Sequence, residues 1–164
     1  MTTEQTPYQA LADVLEHESL HLAQLIDLLK EERSDLVNGT EDRINRIAAE
    51  KLNRIQALDT YAARRNALLA QLSLAQSPDG MASAVARAGE VGTRLQALWA
   101  KVSDRAVVAR DLNDLNGNLI RARLSSVQGR LAQLQRAATG AGDALYGADG
   151  MAQGGRVSRP LGNV

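Results

Sequence analysis

The chain has 164 residues, with Lys+Arg 19 against Asp+Glu 19, no cysteine, no phenylalanine and 2% aromatic residues. That length supports one domain whose core needs neither disulfide nor structural metal, and the lack of cysteine removes thiolate chemistry and fits a reducing compartment. Without a basic excess or the rings on which single-stranded bases stack, nucleic acid is excluded as the expected partner. No apolar run approaches the length of a membrane span. Met1-Thr2-Thr3-Glu4-Gln5 carries neither the basic nor the apolar region of an export signal, so a cytoplasmic protein without stable membrane insertion is expected.

Alanine, leucine, arginine and glutamine dominate, and no alternation of β-branched residues is sustained, so the fold class is all-α. The first helix is expected over about 7–37. Thr6 caps it, Pro7 takes the first helical position, and Gln9 completes a capping box. Leu11, Leu15, Leu22, Leu25, Leu29 and Leu36 follow at steps of three and four, with Glu18 and Glu32 filling gaps in the stripe. Asn38-Gly39 provides a left-handed stop. The second helix, about 41–76, is capped by Thr40, and Glu41 and Asp42 suit its positive end. Ser77-Pro78-Asp79-Gly80 reads as a turn, and 81–90 as a short helical segment.

The third long helix is expected over about 93–138, with an apolar stripe running from Leu95 to Leu134. Seven of the thirteen glycines then fall in 140–164, which reads as a flexible tail after a helical domain of residues 1–139. Short links make successive helices antiparallel neighbours. The expected architecture is an elongated antiparallel three-helix bundle with coiled-coil-like packing and a mobile Gly-rich C-terminal tail. Counted back from the second turn, the third helix outruns the second near residue 128. Leu131, Leu134 and Ala138 then lack an intramolecular partner, and the stripe Leu124, Val127, Leu131 and Leu134 reads as a binding surface, expected to take a partner's amphipathic segment, or as a dimer seam.

Three constellations can carry chemistry or register. His17-Glu18-Ser19-Leu20-His21 matches the H-E-x-x-H zinc-hydrolase pattern, with Glu41 or Glu50 as a possible third ligand. Glu18, however, lies at the centre of the apolar stripe while the histidines flank it, so solvated flank histidines, no metal and no catalytic residue are expected. If the first hairpin folds about Gly39, Glu18 faces residues near 60 and Glu32 faces residues near 46. Arg65 and Lys51 are then within about one turn for crossed ion pairs; the alternative is that all four side chains snorkel into water. Asn113, Asn116 and Gly117 interrupt a helix with weak formers, which a close helix approach or a buried Asn setting register would explain. Arg121, Arg123, Arg130 and Arg136 read as a solvated basic face.

Asn113-Asp114-Leu115-Asn116-Gly117-Asn118-Leu119-Ile120 resembles the N-x-x-N-G-x-L-I stretch in the last helix of FlgN-type flagellar chaperones. Leu145-Tyr146-Gly147-Ala148-Asp149-Gly150 is similar to the tail motif of that family, and Glu31-Glu32, the Asn-Gly turn, Lys51 and Arg65 keep family-like spacing. The resemblance implies a chaperone, not an enzyme, that uses no cofactor. Its expected partners are flagellar hook-associated proteins, bound through C-terminal amphipathic segments, and the cytoplasmic domain of the type III export gate. It further implies a family motif at Asn113, Asn116, Gly117 and Ile120, and gate docking through Leu145, Tyr146 and Gly147. Two other classes remain open from the residues alone: a homo-oligomeric coiled-coil adaptor using the same stripe, and the zinc hydrolase.

Overall fold

The computed structural model describes residues 6–145. All four α-helices found there are joined without a strand among the described residues: α1 (Pro7–Asn38), α2 (Glu41–Gln71), α3 (Pro78–Arg87) and, after a 3-10 turn at Gly89–Val91, α4 (Gly92–Leu145). The chain divides into two compact units, Met1–Ile120 and Arg121–Val164.

Helix α1 begins as its sequence dictates. The Gln9 N–H donates to Thr6 Oγ1 at 3.3 Å and the Thr6 N–H donates to Gln9 Oε1 at 3.0 Å, so two otherwise unpaired donors satisfy each other. Its end departs from the expected left-handed stop. Gly39 is extended (φ −86, ψ 168), and its N–H bonds the Asp35 carbonyl at 2.7 Å. Glycine is required there by crowding: a Cβ would lie 2.6 Å from both the carbonyl oxygen and the Cβ of Asp35. Thr40 holds the N-cap position of α2 in extended backbone, but its hydroxyl makes no capping bond.

Helix α2 stops at Gln71, five residues before the expected end. Ser73 has φ 56, the Leu74 N–H bonds Leu69 O and the Ser73 N–H bonds Ala70 O, both at 2.9 Å. These are the paired reversals of a Schellman stop, built on a serine where glycine is usual. Ser77-Pro78-Asp79-Gly80 is therefore not the break between helices. It is the start of α3, with the Gly80 N–H donating to Ser77 Oγ at 3.3 Å and Pro78 in the first turn. A Cβ on Gly80 would fall 1.7 Å from the Ala75 carbonyl oxygen, so this corner admits only glycine. At the other end α4 continues through Thr139 to Leu145, past the break expected near 138. Extending a formed helix is far easier than starting one, which accommodates Gly140 and Gly142.

Within Met1–Ile120, one apolar cluster joins all four helices: Leu11, Leu15, Leu22, Leu25 and Leu29 of α1, Leu69 of α2, Met81 and Ala84 of α3, and Leu95, Val102 and Ala109 of α4. Each leucine fully removed from water contributes about 1.5–3 kcal/mol. Polar contacts give the directions. Residues 18, 32 and 35 of α1 meet 65, 51 and 43 of α2, so these helices are antiparallel. Residues 16, 19 and 29 of α1 meet 94, 105 and 116 of α4, so that pair is parallel.

Candidate functional site

The two glutamates in the leucine stripe of α1 are buried. Arg65 Nη1 donates to Glu18 Oε1, and the same guanidinium carbon lies 5.3 Å over the Trp99 ring. A planar cation suits both contacts at once. Fourteen residues along, Lys51 Nζ lies 2.7 Å from Glu32 Oε1. These are the two crossed pairs that the register about Gly39 anticipates. The side chain of Glu32 is 4% exposed and that of Lys51 20%, and those of Glu18 and Arg65 are 8% and 16%, so neither pair snorkels into water.

A third partner completes the lower pair. Asn116, 1% exposed, donates through Nδ2 to Glu32 Oε2 and to the Leu29 carbonyl, each at 2.8 Å. One carboxylate thus receives a lysine from α2 on one oxygen and an amide from α4 on the other. A buried carboxylate held in this way fixes both the sliding and the rotation of two neighbours against α1. Of the four residues in the asparagine-rich motif, only Asn116 enters this node. Asn113 is exposed, Gly117 is half-buried and Ile120 is 36% exposed. Higher on α4, Arg105 Nη1 donates to both the carbonyl and the hydroxyl of Ser19 at 2.7 Å, and Arg94 reaches Glu16 at 2.7 Å.

His17 is exposed on the flank of the stripe, as expected, while His21 is half-buried, and both also meet a ring of α2. His17 stacks on Tyr61 with centroids 5.6 Å apart and planes at 17°, and His21 lies 5.1 Å from the same ring. His17 Nδ1 pairs with the Asp13 carbonyl at 2.7 Å, and Arg54 Nη1 lies 3.5 Å from His21 Nδ1. Burial, then the Arg54 charge, then His17 hold the His21 imidazole below its ordinary value. A groove of about 430 Å³ opens beside this stack, lined by Asp13, His17, Tyr61, Arg64 and Leu68 among others. Among the described residues no three His, Asp or Glu side chains are grouped to hold a metal. Glu18, the base of the H-E-x-x-H reading, is engaged by Arg65. Tyr61 was legible in principle: the count about Gly39 that places 60 opposite 18 also places 61 opposite 17.

In the unit Arg121–Val164, the described backbone is the second half of α4. Its apolar side chains are open to solvent: Leu124 56%, Val127 56%, Leu131 55% and Leu134 68% exposed. Their steps of three, four and three place them on one side of the helix. Every residue from Arg121 to Thr139 is exposed except Ala132. Leu145 is the last residue of α4, while Tyr146 and Gly147 lie outside the described residues.

The fold and these two features define an all-helical protein with a buried ionic seam and a solvent-exposed amphipathic helix face among the described residues. The family model described as "FlgN protein" matches residues 1–154, and the chain belongs to that family. Membership suggests a role in flagellar export chaperoning. No curated protein and no solved structure matches the chain. No described helix is long and apolar enough to cross a membrane.

Proposed function

We propose that this protein is a cytoplasmic, non-enzymatic export chaperone. It binds the C-terminal amphipathic segments of flagellar hook-associated proteins, holds them unassembled and passes them to the cytoplasmic domain of the type III export gate. The observation carrying this reading is the exposed face Leu124, Val127, Leu131 and Leu134, in a chain of the FlgN family. Apolar residues at those spacings match the anchors by which one amphipathic helix receives another. In the same reading, α1, α2 and the α4 residues up to Ile120 form a three-helix bundle with coiled-coil-like packing. The shared core cluster and the seam at Glu18 and Glu32 support it. Leu145, Tyr146 and Gly147 serve the gate, since a tyrosine in a glycine-rich segment is an anchor that binds and releases readily.

The test is the double substitution Leu131→Asp, Leu134→Asp, titrated with the C-terminal segment of a hook-associated protein. Binding is expected to be lost while helicity and melting stay nearly unchanged. An unfolded variant would mean that these residues are core and would end the assignment. Tyr146→Ala should abolish binding to the gate's cytoplasmic domain and leave client affinity intact; unchanged gate affinity would remove the tail's assigned role. Light scattering that shows a homodimer dependent on Leu131 and Leu134, with no client bound, would favour the adaptor.

A further inference from the structure

The charges around the exposed face say what kind of helix it takes. Between Asp114 and Asp143 the chain holds four arginines (Arg121, Arg123, Arg130 and Arg136) and no aspartate or glutamate. The preceding residues 1–114 have the opposite balance, with thirteen bases against seventeen acids. A net charge of zero for the whole molecule therefore conceals a basic segment on a chain that is otherwise acidic.

Helical geometry places those arginines. Leu124, Val127, Leu131 and Leu134 have the a/d spacing of a heptad seam and cover about 80° of the helix circumference. Arg123 and Arg130 then occupy the positions flanking one side of the seam, and Arg121, Gln128 and Gln135 those on the other. Arg130 is three residues after Val127 and four before Leu134, adjacent to both on the helix surface. Gly129 falls on the outer face, where an added Cβ would meet nothing within 4 Å. The seam and its flanks are solvent-exposed throughout.

We infer that the occupant of this face is an acidic amphipathic helix, with apolar residues at three-four spacing and Asp or Glu at the positions beside them. This deepens, and rests on, the docking reading above. A second copy of the segment offers its arginines no carboxylate. A lipid surface is disfavoured because the stripe is a narrow seam with no aromatic residue between Trp99 and Tyr146, where interfacial helices present a broad apolar face with Trp or Phe. Flanking charge governs which partner a seam accepts and in which register, while the apolar anchors supply most of the affinity.

The experiment uses the full chain and two synthetic peptides of about 21 residues with the same leucine seam, one with Glu and one with Lys at all flanking positions. Fluorescence anisotropy at low ionic strength should show the Glu peptide binding about tenfold more tightly, with the gap closing as salt shortens the screening length. Arg130→Glu should shrink or reverse the preference and Arg130→Gln should take an intermediate value, with helicity unchanged in both because the site is exposed. Equal binding of both peptides, unaffected by Arg130→Glu, would overturn the acidic partner and leave the docking face standing. Binding of neither peptide would bring down the docking reading as well. A dimer of the full chain that Arg130→Glu dissociates would replace the acidic helix with a second copy. Binding to phosphatidylglycerol vesicles in place of the Glu peptide would replace it with a membrane surface.

Discussion

The two units of this chain invert each other. In Met1–Ile120, carboxylates and an amide are buried among leucines: Glu18, Glu32 and Asn116 are almost wholly withdrawn from water. In Arg121–Val164, leucines and a valine stand in water with arginines and glutamines around them. Buried polar groups are costly unless hydrogen-bonded; Glu32 receives one partner from each neighbouring helix, whereas Glu18 Oε2 and Asn116 Oδ1 have no hydrogen-bond partner among the described residues. An exposed apolar stripe is stable only while the helix beneath it needs no help from packing, and it gains most when another surface covers it. The first arrangement specifies one geometry of α1, α2 and α4; the second leaves the geometry to a partner.

The largest expected effect tests the first half of this contrast. Glu32→Ala removes the acceptor shared by Lys51 and Asn116, and breaking a buried ion pair from one side costs about 3–5 kcal/mol. Lys51 retains some access to water, so the lower end of that range is expected. Urea unfolding should show the midpoint falling with its slope unchanged. Replacing both partners, Glu32→Leu with Lys51→Met, should recover most of the loss, since an apolar pair carries no desolvation penalty. If Glu32→Ala is as stable as the native chain, the node has no structural role.

Asn116→Ala comes next. It deletes two donated bonds, to Leu29 and Glu32, and leaves both acceptors buried, for an expected loss of about 1–3 kcal/mol. Alanine's better helix propensity returns a few tenths of that. A double-mutant cycle with Glu32 should give a coupling of about 0.5–3 kcal/mol; additivity would show that Asn116 acts through Leu29 alone.

What the sequence discloses follows from which constraints are local. The register of α1 on α2 could be counted because two periodic stripes meet at a short turn, so Glu18 with Arg65 and Glu32 with Lys51 were accessible before any coordinates. Asn116 stood out as a poor helix former, but its acceptor lies 84 residues away and depends on how α4 is rotated against α1. The end of α2 was hidden for a different reason: Ser73 takes a left-handed conformation that glycine would have advertised. The misreading of Ser77-Pro78-Asp79-Gly80 has the same root. Cap, proline and glycine occur both in turns and in first helical turns, and only the Schellman stop upstream decides between them. The partner of the Leu124–Leu134 face is not encoded in the described chain, although the charges beside it are.

A third substitution tests the other half of the contrast. Leu131→Ala in the free protein should change stability by less than about 0.5 kcal/mol, the range of exposed positions away from any packed feature. The same change at Leu15, which is wholly buried, should cost about 2–5 kcal/mol through lost burial and the cavity left behind. Similar losses at the two sites would mean that the exposed face is packed in solution and would erase the distinction between the units.

The smallest expected effect concerns a residue between the two extremes. His21 is half-buried, lies against the Tyr61 ring and has Arg54 beside its Nδ1. Burial, the Arg54 charge and His17 all disfavour its protonated form, so its folded-state value lies below the ordinary 6.5. The sign of the linkage follows. Below 6.5 the unfolded chain takes up this proton before the folded chain does, so stability is full above that value and declines as pH falls from it toward the lowered folded-state value. Asp13 Oδ1 and Glu16 Oε2, on the neighbouring turn of α1, are engaged by Arg94 of α4, while Arg54 Nη1 lies 3.5 Å from the imidazole Nδ1. Chemical denaturation of the native chain and of His21→Gln between about pH 5 and 8 isolates the residue, since glutamine does not titrate. The native chain should lose slightly more stability than the variant over the acidic half of that range, and the two curves should run parallel above neutrality. Curves that stay parallel throughout would place the His21 ring in water, and a variant that loses more in acid would reverse the sign assigned here.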